Sequence, residues 1–175
     1  MLSQFEHLER VIDGRYATDA ELQFITDYVR SFQIRFQTYL KLQELELMLL
    51  QQTYRKIQLV APDLLRYNNA DMSAKWKQDT IRVLRYTAIT VLLNDPDTLK
   101  ERLLLWFRSV MQAFGTERSC DMTYQILQSL ICQHLPPNQA ELVIPVLELN
   151  RQMLGSRNED SATHFPDTGS FRKFH

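Results

Sequence analysis

Four glycines, six prolines and two cysteines in 175 residues exclude several common architectures. A sandwich or barrel of many short strands needs tight turns rich in glycine and proline, so the scarcity of both points to helices. Neither G-x-G-x-x-G nor G-x-x-x-x-G-K occurs, which removes the usual phosphate-cradling loops. Cys120 and Cys132 are too few for a disulfide scaffold or a zinc site. They stand twelve positions apart in one expected helical region, about 18 Å of rise, which is beyond disulfide reach. They read as two small buried thiols of a reducing cytosol. Charge of one sign is also lacking: 20 basic residues face 21 acidic ones, a formal charge of −1. No overall field therefore favours nucleic acid or an anionic membrane. No stretch approaches the ~20 apolar residues of a membrane helix. The start, MLSQFEHLER, lacks the basic lead and apolar run of a signal peptide. The expectation is an intracellular, soluble chain.

What is present is a 45% apolar content, the mix of one domain with a real core. Phe5, Leu8 and Ile12 line one side of a short helix over 3–12 that stops at Asp13-Gly14, where glycine accepts a left-handed conformation. Thr18 or Asp19 then caps a new start, with Glu21 placed as in a capping box. Leu22, Ile25, Val29, Phe32, Phe36, Tyr39 and Leu40 come next at helical spacing. The pattern runs on to Val60, which is long enough to predict a bend or two abutting helices. Residues 62–71 have loop composition. Ser73 is expected to cap a helix burying Trp76, Ile81, Leu84, Ala88, Val91 and Leu92. Asn94-Asp95-Pro96 breaks the chain. Leu99, Leu103, Trp106, Val110 and Phe114 form the next stripe, ended by Gly115. Further helices are expected over 120–134, with Leu127, Leu130 and Ile131 inward, and over 139–154, with Leu142, Val146 and Met153 inward. Pro145 in the last one implies a kink or a later start. The chain divides into a domain over 1–155 and a polar tail over 156–175, for which disorder is the expectation.

Catalytic patterns are missing. His7, His134, His164 and His175 offer no central-helix axial ligand for haem, and no H-E-x-x-H, G-x-S-x-G or Cys-x-x-Cys occurs. Glu44 and Glu46, two apart on a helix, do not face each other as an acid/base pair would. Lys75, Lys77, Arg82 and Arg85 around Trp76 read as a solvated helix face rather than a nucleic-acid platform. The expectation is a protein that is not an enzyme and holds no metal.

Three segments carry a resemblance. Asp13-Gly14-Arg15-Tyr16 followed by Glu21-Leu22, Asp79 followed by Ile81-Arg82-Val83-Leu84-Arg85-Tyr86, and Leu99 to Gly115 are similar, in order and spacing, to the phycobiliprotein (phycobilisome) family. The resemblance covers about residues 5–154. It implies an all-α, globin-like fold with an N-terminal helical hairpin that packs on a second subunit. Counting back from Leu84-Arg85-Tyr86, Trp76 stands where the family has its bilin-tethering cysteine, and Gln78 stands where it has an arginine. Asp79, whose family counterpart accepts hydrogen bonds from pyrrole nitrogens, remains.

The resemblance thus implies a phycobilisome-family member without covalent pigment or other cofactor. Its partners would be phycobiliprotein-type subunits, in a hetero- or homodimer through the hairpin. Asp13, Arg15 and Tyr16, with Arg82, Arg85 and Tyr86, would form the contact surface. Its role would lie in assembly, turnover or regulation of the antenna. Its place would be cytoplasmic, peripheral on the cytoplasmic side of the thylakoid in a cyanobacterium. The alternative is a ligand-sensing module holding a bilin or other apolar ligand non-covalently, with Asp79 and Lys75 or Lys77 orienting it beside Trp76.

Overall fold

A computed structural model describes residues 1–68 and 70–155; the expected tail over 156–175 lies outside the described residues. Helix α1 spans Leu2–Ile12 and closes at Asp13 (φ 38°) and Gly14 (φ 80°). Two successive left-handed residues reverse the chain, and only glycine adopts such a φ without strain. Thr18 then caps α2: its hydroxyl accepts from the Glu21 N–H, and the Glu21 carboxylate accepts from the Thr18 N–H at 2.8 Å, as the capping box predicts.

Helix α2 runs as one continuous helix over Asp19–Val60, 42 residues, rather than as two abutting ones. The segment contains neither glycine nor proline, and from Thr38 to Ile57 one face of it is buried in the domain, where α2 packs on α3, α6 and α7. Tertiary packing rather than propensity sustains a helix of this length. Thr38 and Thr53, both fully buried on that face, satisfy their hydroxyls on the carbonyls of Ile34 and Leu49.

A 3₁₀ turn (Pro62–Leu65) leads into a minimal antiparallel ladder of β1 (Arg66–Tyr67) and β2 (Ala70–Asp71). Helix α3 occupies Ser73–Leu93. Ser73 is its first residue rather than its cap; the Asp71 carboxylate accepts both the Ser73 N–H and its hydroxyl. After Asn94 (φ 51°), Asp95 caps the short α4 (Pro96–Leu99), and a π-helical turn (Lys100–Leu104) joins it to α5 (Leu105–Ala113). Helices α6 (Glu117–His134) and α7 (Pro137–Gly155) complete the domain and pack extensively on each other.

The π turn corrects the expected stripe of this region. It adds one residue to a single turn, so the buried set after it becomes Leu104, Phe107 and Met111, while Trp106 is 57% exposed and Phe114 44%. Helix α7 likewise starts earlier than expected, with Pro137 at its first position, where a missing N–H costs nothing. Its inward residues are Ala140, Val143, Val146, Leu147, Asn150 and Leu154; Leu142 and Met153 sit at the rim. Cys132 is exposed rather than buried. The core centres on Leu49, Val83, Val91, Leu104, Phe107, Leu127, Leu130, Ile131, Val143 and Leu147.

Helix α1 contributes no buried residue. It folds back along the start of α2, with Phe5 meeting Phe24 edge-on at 5.2 Å. Its first turn is clipped to Asp95, whose carboxylate accepts the Ser3 N–H at 3.0 Å and its hydroxyl at 2.9 Å.

Candidate functional site

A cavity of about 90 Å³ opens between the 3₁₀ turn and β1 on one side and α3, α5 and α6 on the others. Its walls are mostly apolar, with Phe107 and Met111 from α5 and Tyr124 from α6. Tyr67 and Phe114, edge-to-face at 5.6 Å, stand at one side of it.

The first turns of α3 supply the polar groups. Trp76 is half-buried; its ring leans on Tyr54 of α2 at 5.8 Å, and its Nε1–H donates to the Thr123 hydroxyl of α6 at 2.9 Å. That hydroxyl donates in turn to the Ser119 carbonyl at 2.6 Å. One turn further along α3, buried Asp79 accepts from Lys75 Nζ on both carboxylate oxygens, at 2.9 and 2.7 Å. The i, i+4 spacing on one helix face makes that bidentate grip possible.

Of the four residues expected to orient a ligand, the structure brings Lys75, Trp76 and Asp79 to the cavity. Lys77 is a correction: its ammonium lies 4.2 Å above the Tyr54 ring on the α2 side, outside the cavity, as one residue of helical rotation dictates. Thr123, Tyr124, Phe107 and Met111 were not singled out from the sequence. Each falls on an ordinary apolar or capping pattern, and nothing local shows which helix it will face.

The titratable groups here are held neutral or paired. Burial pushes the Cys120 thiol up to about 12 and the Tyr124 phenol well above its ordinary value. Neither is an activated nucleophile. Among the described residues no group of three His, Cys, Asp or Glu is placed to hold a metal ion.

The residues expected to meet a partner lie in two places. Asp13, Arg15 and Tyr16 occupy the turn between α1 and α2, with Tyr16 98% exposed. Arg15 grips the Glu21 carboxylate at 2.6 and 3.0 Å, and with the Thr18 bonds this holds the Glu21 carboxyl down to about 2. Arg82, Arg85 and Tyr86 lie on the outer side of α3, all exposed. Arg85 is already engaged: its Nε and Nη2 both donate to Glu46 of α2 at 2.8 Å, which lowers the Glu46 carboxyl. Val29, Phe32, Phe36 and Leu40 add an exposed apolar strip along α2.

A family model described as phycobilisome protein matches residues 12–154, and the chain belongs to that family. The all-α architecture with its N-terminal helical hairpin is the globin-like fold of that family. No curated protein matches the chain.

Proposed function

We propose that this member of the phycobilisome protein family carries no covalent pigment and works by protein recognition. It binds antenna subunits or a related family-like partner and acts in assembly, turnover or regulation of the phycobilisome. Family membership supports the phycobilisome-related role itself. The finer reading rests on one observation: the Trp76 indole, at the position where the resemblance implies a tethering cysteine, is spent on Thr123.

The residues present do not fit a tethered linear tetrapyrrole. An indole forms no thioether, and both oxygens of the Asp79 carboxylate already accept from Lys75. The cavity, at about 90 Å³, is well below the ~300–1,000 Å³ of pockets for drug-sized ligands. Groups that would serve a pigment instead link α3 to α6 and to themselves. What remains on offer is surface: the hairpin turn with Asp13, Arg15 and Tyr16, and the α3 face with Arg82, Arg85 and Tyr86. On this reading the chain is a binding protein rather than an enzyme. It sits peripherally at the cytoplasmic side of the thylakoid; no helix among the described residues is long and apolar enough to cross a membrane.

The test is co-expression with bilin synthesis, then denaturing electrophoresis and capture assays with an allophycocyanin-type subunit. The expected chain is colourless on the gel and captures the subunit, less well as Asp13→Ala or Arg82→Ala. Pigment that stays attached through denaturation overturns the reading, as does undiminished capture by both variants. The second reading, a non-covalent ligand sensor, draws on the apolar cavity walls; colour present natively and lost on the gel favours it.

A further inference from the structure

A pocket of about 370 Å³ opens between α2, the C-terminal end of α3 and the middle of α7. It shares no residue with the cavity beside Trp76. Leu142, Val146 and Leu149 line it from α7, at the spacings of three and four that put side chains on one helix face. Val91 faces them from α3. Pro96, at the start of α4, and Pro145, within α7, complete the apolar wall. Both prolines have a fixed φ, so the wall is in place before anything enters.

Arg35 of α2 is the cation of this pocket. It is half-buried. Its Nε donates to the Ser31 hydroxyl and its Nη1 to the Val91 carbonyl, both at 2.9 Å. These bonds fix the guanidinium without neutralising it. Nη2 has no partner among the described residues. Burial pushes the Arg35 pKa below its ordinary value, and Tyr28 alone acts the other way, so no acid compensates the charge. Thr90, beside it, spends its hydroxyl on the Tyr86 carbonyl at 2.8 Å. A half-buried cation held only by neutral acceptors keeps its desolvation cost, which an incoming anion offsets.

From this arrangement we infer that the pocket binds a small monocarboxylic acid, taken as its carboxylate, with a compact aliphatic body. The carboxylate accepts from the free donors of Arg35, and the body lies against Leu142, Val146 and Leu149. Glu141 is exposed and also lines the pocket. Its negative charge opposes a second one on the ligand, which disfavours dicarboxylates and phosphates. The volume of about 370 Å³ falls within the ~300–1,000 Å³ of small-molecule pockets. The inference is independent of the pigment-free role, because neither the Trp76 cavity nor the partner surface takes part.

Titration of the purified full chain with 4-methylpentanoate, followed by methyl NMR, tests it. Saturable binding with a Kd of about 1 mM is expected, with the largest shifts at the methyls of Leu142, Val146 and Leu149. The neutral amide of the same acid lacks the charge, and acetate lacks the body; each is expected to bind roughly tenfold more weakly. Arg35→Met keeps the apolar stem and is expected to lose affinity by a similar factor, with circular dichroism as the check on folding. Should that variant not fold, the comparison of acid with amide on the unaltered chain decides. Equal binding of amide or acetate, undiminished affinity in folded Arg35→Met, or no saturation up to about 20 mM overturns the inference. So do shifts centred on Met111, which place the ligand in the other cavity.

Discussion

Trp76 and Thr123 are joined across the cavity by an indole N–H donated to a hydroxyl at 2.9 Å. The bond ties α3 to α6, and the lean of the same ring on Tyr54 ties α3 to α2. A position that could have served a ligand therefore serves the fold. Two kinds of interaction are superposed in Trp76, apolar burial and one hydrogen bond, and substitution separates them.

Trp76→Phe keeps most of the ring and removes the donor. It is expected to cost about 0.5–1.5 kcal/mol in urea unfolding, the net worth of one hydrogen bond. Trp76→Ala also removes the packing. Because Trp76 is only half-buried, the cost is expected at about 2–3 kcal/mol, below the ~3–5 of a fully buried tryptophan. Equal costs for the two variants would show that the ring contributes nothing beyond its N–H.

Lys75 and Asp79 make a lopsided pair, with side chains 49% and 12% exposed. Lys75→Met leaves a buried carboxylate without its cation. A loss of about 1–2 kcal/mol is expected, less than the ~3–5 of a wholly buried pair because water already screens the lysine. Adding Asp79→Leu is expected to recover most of it, since the uncompensated charge is gone. Denaturant melts of the single and double variants measure both numbers.

Acid should loosen the hairpin before the core. Burial alone would raise the Asp95 carboxyl, but the Ser3 N–H and hydroxyl and the Thr98 N–H overcome it and hold it below its ordinary value. The Glu21 carboxyl is held down from 4.5 to about 2 by Arg15 and then by Thr18. Both groups bind protons less readily folded than unfolded, so stability is present above the unfolded values and lost as pH falls through the folded ones. Amide exchange from pH 6 downward is expected to show α1 and the first turn of α2 losing protection below about 4.5, ahead of α6 and α7. Uniform loss across all helices would contradict the assignment.

Much of this was legible from local chemistry. The capping box at Thr18 and Glu21, the reversal at Asp13-Gly14 and the break at Asn94-Asp95-Pro96 each depend on residues within one turn of each other. The cavity was legible only on its α3 side, at Lys75, Trp76 and Asp79. Thr123 and Tyr124 lie more than forty residues further along the chain, and helical period does not say which helices face each other. Lys77 was misplaced for a different reason: one residue on from Trp76, helical rotation carries it out of the cavity and over the Tyr54 ring.

The π turn at Lys100–Leu104 shows the limit most plainly, and it can be tested. Spacings of three and four from Leu99 point through Leu103 to Trp106, Val110 and Phe114, which an unbroken α-helix would bury. One extra residue in a single turn rotates the remainder of the helix by about 100°. Burial passes to Leu104, at 0% exposed, and to Phe107, while Trp106 is left 57% in solvent. The two registers make opposite forecasts. If the π turn holds in solution, Leu104→Ala costs about 2–5 kcal/mol, as for a fully buried leucine, and Trp106→Ala costs less than about 1 kcal/mol. If the region is a regular α-helix, the larger loss falls on Trp106. Deleting one residue within Lys100–Leu104, Glu101 for example, should convert the turn to α-helix while Phe107 and Met111 keep their buried faces. The variant is then expected to unfold at close to the parent's urea concentration, whereas in a regular α-helix the same deletion would rotate everything after it by about 100° and lower the midpoint markedly.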